Sequence, residues 1–272
     1  MSILVNNSYS IPLDTRQIIA KRYHIITKAI NKEYWNSIND SSHSFYVGSY
    51  GRGTAISTSD IDILVELPSA EYDKFSSTIG NEQSRLLQAI RNSIKDTYSS
   101  SDIRADGQVV KINFHDGIKF EILPSFKKIN YFENTETYIY PDTNMGGNWK
   151  STNPKMEQQA MKNKNKTSND LLYATCKHFR YIRDNYFSSY QLPGIVIDSF
   201  AYSAIGAWHY VGQDDTSSTV AIAGDYENSL LTYFNNNKLL GFINLYSPGS
   251  NQHVDTFDNI DCLEKVIKKI AL

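Results

Sequence analysis

The segment Gly48-Ser49-Tyr50-Gly51-Arg52-Gly53-Thr54, followed closely by Ser59-Asp60-Ile61-Asp62-Ile63-Leu64-Val65, constrains this chain more than any other. A small-residue turn leads into two carboxylates spaced i, i+2 in an apolar run. In a strand, i and i+2 point to one face. The spacing therefore predicts Asp60 and Asp62 side by side on a strand that is otherwise buried. Like charges so placed repel, and a divalent cation is the usual remedy. A turn that lets backbone approach a phosphate, set beside a metal-binding carboxylate pair, suits nucleotide transfer. A Gly-rich turn before an ordinary edge strand is the bland alternative.

These residues resemble the signature of the DNA polymerase β-type nucleotidyltransferase superfamily, Gly-Ser and then Asp-x-Asp on a strand. Gly48 through Ile56 and Ser59 through Glu66 resemble more narrowly the bacterial cGAS/DncV-like nucleotidyltransferases. So do Tyr140 through Asn144, Trp149-Lys150 and Asn153-Pro154-Lys155. The resemblance implies an α+β fold, a mixed sheet with helices paired with a helical second lobe, and an active site in the cleft between them. It implies a catalytic lobe over residues 1–160, including an N-terminal spine helix, and a helical lobe over 161–272. The implied reaction is ribose hydroxyl attack on the α-phosphate of a nucleoside triphosphate, with release of pyrophosphate. Repetition and ring closure would give a cyclic di- or oligonucleotide, a second messenger of antiphage defence read by a downstream effector. Two rival functions share the signature. One is nucleotide transfer to RNA, protein or a small molecule. The other is a non-catalytic nucleotide sensor, which would be expected to lose an acid.

Composition narrows the choice. A formal net charge of −2 argues against a long nucleic-acid substrate, because phosphate neutralisation normally demands a basic excess. No apolar run reaches the length of a membrane span, so no membrane partner is expected. The stretch Met1 to Asn7 lacks the basic flank and long apolar core of a secretory signal, and a cytoplasmic location is expected. Two cysteines, Cys176 and Cys262, stand far apart and form no zinc knuckle by themselves. The six histidines show no ligand spacing, and no Gly-x-Ser-x-Gly or Walker-type motif occurs.

Periodicity supplies the elements. Ile18, Ile19, Tyr23, Ile26, Ala29, Ile30 and Tyr34 predict a helix from Thr15 to Trp35, with Asp14 as N-cap. A strand is expected over Asp60–Leu67 and a helix over Glu82–Tyr98. A hairpin is expected from Val109 to Leu123, closed by Pro124. Ile139 to Trp149 reads as loop. Asn153-Pro154 reads as a helix start. The basic run Lys162 to Lys166 reads as a solvated connection near the lobe boundary. Helices are expected over Thr167–Phe187 and from an Asp198-Ser199 cap onward.

Further candidates complete the site. Glu121 is a lone acid in the apolar strand Phe120-Glu121-Ile122-Leu123-Pro124, where the resemblance places a third catalytic and metal-binding acid. The family more often has Asp there. The implied cofactor is a pair of Mg²⁺ or Mn²⁺ ions held by Asp60, Asp62 and Glu121, about 4 Å apart as in two-metal sites. Gly48 and Ser49 are expected to bind phosphate. Arg183 falls in the apolar arc of its helix and must find an anion there or snorkel to water; the family helix it resembles carries a triphosphate contact. Arg180 is a second candidate, and Lys177 is expected to be solvated. Ser199 resembles another triphosphate contact, although helix capping explains it as well.

Overall fold

The computed structural model describes residues 1–4, 9–76, 80–130, 135–213 and 215–271. Residues 5–7 of the N-terminal stretch read above lie outside them. The chain divides into two compact units. One comprises Pro12–Gly51 and Asp60–Asn153; the other comprises Met1–Ile11, Arg52–Ser59 and Pro154–Leu272.

The first unit is built on a mixed sheet. Its strands are β1 (Ser44–Tyr46), β2 (Ile61–Glu66), β3 (Asp102–Asp106), β4 (Val109–Asn113), β5 (Lys119–Asn130), β6 (Thr135–Asp142) and β7 (Asn148–Thr152). The order β1-β2-β5-β4-β3 is extended by β6 on β5 and β7 on β6. Only β2 and β5 run parallel; the other pairings are antiparallel. Ile61 and Ile63 of β2, Phe120 and Ile122 of β5, and Val110 and Ile112 of β4 are all buried. The period of two thus gives this sheet one continuous apolar face.

Helix α1 (Leu13–Tyr34) buries Ile19, Tyr23, Ile26 and Ile30, as its 3.6-residue period requires. It starts two residues before the expected Thr15. Pro12, not Asp14, is the N-cap, and Asp14 lies in the first turn. Ile18 is exposed. Arg22 of α1 forms a two-bond ion pair with Asp116 in the β4–β5 turn and stacks on Phe114, 3.8 Å from the ring centre. A four-residue helical turn, α2 (Gly48–Gly51), follows β1, and α3 (Ser69–Ser76) follows β2. Helix α4 (Glu82–Lys95) is capped by Asn81, whose side chain accepts from the Ser84 N–H. It buries Leu86, Leu87, Ile90 and Ile94.

Two strand expectations are corrected. Pro124 does not close β5, which runs on to Asn130. The last β4 partner of β5 is Val110, opposite Ile122, so the missing Pro124 N–H faces no β4 acceptor. The stretch read as loop, Ile139 to Trp149, is instead the β6–β7 hairpin around a short 3₁₀ turn. Asp142 ties it, accepting from Lys150, Gln108 and the Asn144 backbone and side chain.

The second unit is mainly helical: α5 (Pro154–Thr167), α6 (Leu171–Tyr186), α7 (Gly194–Ala204), α8 (Asp225–Asn237) and α9 (Ile260–Ala271). Short hairpins β8/β9 (Lys238–Leu239, Phe242–Ile243) and β10/β11 (Leu245–Tyr246, His253–Val254) lie between α8 and α9. Its core joins Leu172, Cys176, Phe179, Phe200, Phe234 and Leu263 with Ile3 from the N-terminal segment. Both cysteines are buried and free. The run Lys162 to Lys166 is the last part of α5, not a connection; it buries Asn165 and turns Lys162 and Lys166 outward. Among the described residues, no helix is long and apolar enough to cross a membrane.

Candidate active site

Asp62 lies inside β2, while Asp60 precedes its first residue and is exposed. Asp62 is half-buried, and its carbonyl accepts the Val47 N–H at 2.8 Å. Its side chain rests on Gly48. A Cβ added to Gly48 would stand 1.9 Å from Asp62 Oδ2. Gly48 also has φ +58°, a region in which side chains are strained. Two independent demands therefore fix glycine at this position. Ser49 follows within α2, half-buried.

Glu121 is the register partner of Asp62 across the parallel β2–β5 pair, which puts both acids on one sheet face. The sheet thus brings together the acid within Asp-x-Asp and the lone acid of the second strand. Burial pushes the Glu121 pKa up; Lys111 pulls it down, and nearby Asp60 pushes it up again. Sequence reasoning missed Lys111. It is the β4 register partner of Glu121, its Nζ 3.4 Å from Glu121 and 2.8 Å from Asp106. The alternation of β4 carried that signal, since Lys111 sits between buried Val110 and Ile112.

Among the described residues, no three His, Cys, Asp or Glu side chains form a group that could enclose a metal alone. The acids present still suit a hard cation. Mg²⁺ is ordinarily held by one or two carboxylates, with substrate phosphates and water completing its shell. The packing of Asp62 on a bare glycine keeps the carboxylate against the turn that is expected to meet phosphate.

In the helical unit the two candidate arginines already have anions. Arg180 is 1% exposed. Its Nη1 and Nη2 donate to Asp198 Oδ1 and Oδ2 at 2.7 and 2.9 Å, and Nη2 also to the Gly194 carbonyl. Arg52 Nε and Thr54 Oγ1 donate to the same Asp198 Oδ2, and Arg52 Nη1 reaches Glu157 Oε2 at 3.1 Å. Burial alone would raise the Asp198 pKa; Arg180 and Arg52 reverse that and hold it low. Burial pushes the Glu157 carboxyl up despite Arg52. Arg183 finds its anion next door, with Nε donating to Asp184 at 2.6 Å and Nη1 to the Leu192 carbonyl.

Ser199 is the sixth residue of α7, not its cap, because that helix starts at Gly194. Its hydroxyl is buried and has no hydrogen-bond partner among the described residues. Such a group costs about 1–3 kcal/mol, so an unmet oxygen here asks for a buried water. Lys177 is half-buried.

The profile of SMODS, the Second Messenger Oligonucleotide or Dinucleotide Synthetase domain, matches residues 4–165, more than half of the chain. A probable cyclic nucleotide synthase of Bacillus cereus is 25% identical over 161 residues, which are 55% of this chain and 47% of that protein. The chain thus spans about half the length of that curated relative. Among solved structures, the fold is similar to the CdnE cyclic dinucleotide synthase of Elizabethkingia meningoseptica, with TM-score 0.62 and 13% identity over 93% of this chain and 89% of that one. It is also similar to the CD-NTase CdnG of Bradyrhizobium diazoefficiens, with TM-score 0.64 and 10% identity over 97% and 86%. The mixed α+β architecture is that of the cGAS/DncV-like nucleotidyltransferases, and the chain belongs to the second messenger oligonucleotide or dinucleotide synthetase family.

Proposed function

We propose that the chain is a cyclic oligonucleotide synthase, joining nucleoside triphosphates by attack of a ribose hydroxyl on the α-phosphate with release of pyrophosphate. The observation that carries this reading is the register pairing of Asp62 with Glu121, with Asp62 packed on the bare Cα of Gly48. Family membership supplies the product class. Asp60, Asp62 and Glu121 would hold Mg²⁺ or Mn²⁺, which neutralises charge on the transferring group and the departing pyrophosphate. Gly48 lets backbone approach a phosphate, and Ser49 offers a hydroxyl donor. On the helical unit, Arg183 beside Asp184 is the proposed phosphate contact, being partly exposed, whereas the Ser199 and Arg180 side chains are fully buried. Arg180 instead orients Asp198. The product would act as a second messenger in antiviral defence through a separate effector. A cytoplasmic setting, where thiols stay reduced, fits the two free cysteines.

The acids provide the test. Asp62→Asn should lower turnover by about 10²-fold or more, the scale of losing one transition-state electrostatic contact. Its thermal unfolding should match wild type, since Asp62 is only half-buried. A near-normal rate in the Asp60→Asn/Asp62→Asn double variant would exclude this site.

A further inference from the structure

Four charged residues form a row across the sheet. Register pairs connect Asp62 on β2 to Glu121 on β5, Glu121 to Lys111 on β4, and Lys111 to Arg104 on β3. Direct register partners share a face. The opposite face at the flanking positions is apolar and buried, through Ile61, Phe120, Ile112 and Ile103. The row reads acid, acid, base, base, and it leads outward from the candidate site. Arg104 donates to Asp102 at 2.8 Å, its own-strand partner two residues back. Lys111 has two partners instead, Asp106 at 2.8 Å and Glu121 at 3.4 Å. Its side chain is 38% exposed, so the ammonium has room to lean toward either.

We propose that Lys111 is a resident cation of the acid row, a positioning residue that holds the Glu121 carboxylate and yields it to a divalent cation by leaning onto Asp106. The proposal rests on the reading that Asp60, Asp62 and Glu121 hold the metal. Without metal, Asp62, Glu121 and nearby Asp60 would repel one another, and Lys111 offsets part of that charge. With metal present, an ammonium beside Glu121 opposes the incoming positive charge. Asp106 is exposed, lies beyond the acid pair and already holds the ammonium at 2.8 Å, so Lys111 can give up Glu121 without losing its partner. Lys111 touches no reacting atom in this scheme; it acts through Glu121.

Direct metal binding tests this independently of turnover. Mn²⁺ is titrated into the full chain without nucleotide, and free Mn²⁺ is read by electron paramagnetic resonance. Lys111→Met should tighten Mn²⁺ binding by about three- to tenfold, the scale of removing one nearby charge in a partly solvated site. Asp106→Asn should weaken binding, because Lys111 then has only Glu121. Lys111→Arg keeps the charge and should resemble wild type. Unchanged or weaker binding by Lys111→Met, or tighter binding by Asp106→Asn, overturns the proposal. The Asp62→Asn variant separates the two readings. If it binds Mn²⁺ as wild type does, the metal site itself is misplaced. If it loses Mn²⁺ while Lys111→Met changes nothing, only the role of Lys111 is wrong.

Discussion

Gly48 shows how one residue can answer both backbone and side-chain demands. Its φ of +58° disfavours any Cβ, and the Asp62 carboxylate occupies the space a Cβ would take. Gly48→Ala should therefore cost about 1–2 kcal/mol of stability from backbone strain. It should also cost catalysis, lowering kcat by about a hundredfold as Asp62 is pushed aside. Urea unfolding and steady-state rates on the same preparation check this; an unchanged kcat would detach Gly48 from the chemistry. The placing of Gly48 against Asp62 was legible because the motif is local, whereas Asp60, expected beside Asp62 on the strand, precedes it. Glu121 was legible because alternation made it the single acid of its strand run. The partners of Arg180 and Arg52 were not. Asp198 lies 18 and 146 residues away from them, and no short-range pattern announces such a pair.

At the scale of elements, the errors follow from local rules overridden by pairing. Pro124 sits inside a strand because β4 has already ended beside it. Lys162 to Lys166 has the composition of a linker, yet α5 needs only Met161 and Asn165 as buried contacts over its last turns. The β6–β7 hairpin lacks clean alternation and depends on polar ties. Asp142 is the chief of these. The Lys150 ammonium first, then backbone and amide donors, hold its carboxyl at about 2 against a burial effect that raises it. A lowered acid stabilises the fold above its ordinary pKa of 3.8, and that contribution fades as pH falls through about 2. Asp142→Asn should therefore melt below wild type at neutral pH, and the gap should close between about pH 4 and pH 2. Melting curves across that range check it. A gap independent of pH would assign the loss to shape rather than charge.

For the molecule as a whole, each unit carries its own core, and the helical one is also pinned by buried charge. Among the described residues, Asp198 accepts two hydrogen bonds from Arg180 and one each from Arg52 and Thr54. Breaking a buried pair by removing one partner typically costs about 3–5 kcal/mol. Asp198→Ala leaves two arginines without their shared anion and should reach the top of that range. Arg52→Ala leaves the Arg180–Asp198 pair intact and should fall near the bottom. Chemical unfolding followed by helical circular dichroism orders the two; an Arg52→Ala loss exceeding that of Asp198→Ala would contradict the network. The net charge of −2 carries a functional consequence at this scale, because a long nucleic-acid acceptor is not favoured. The most direct measurement is therefore the product itself. Purified protein is incubated with all four labelled nucleoside triphosphates and Mg²⁺ or Mn²⁺, without primer, then treated with phosphatase and resolved by mass spectrometry. The account predicts small products that resist phosphatase, because a closed ring has no terminal phosphate, and it predicts their absence with Asp62→Asn. Linear phosphatase-sensitive chains, or label transferred to RNA, protein or a small-molecule acceptor, would contradict it.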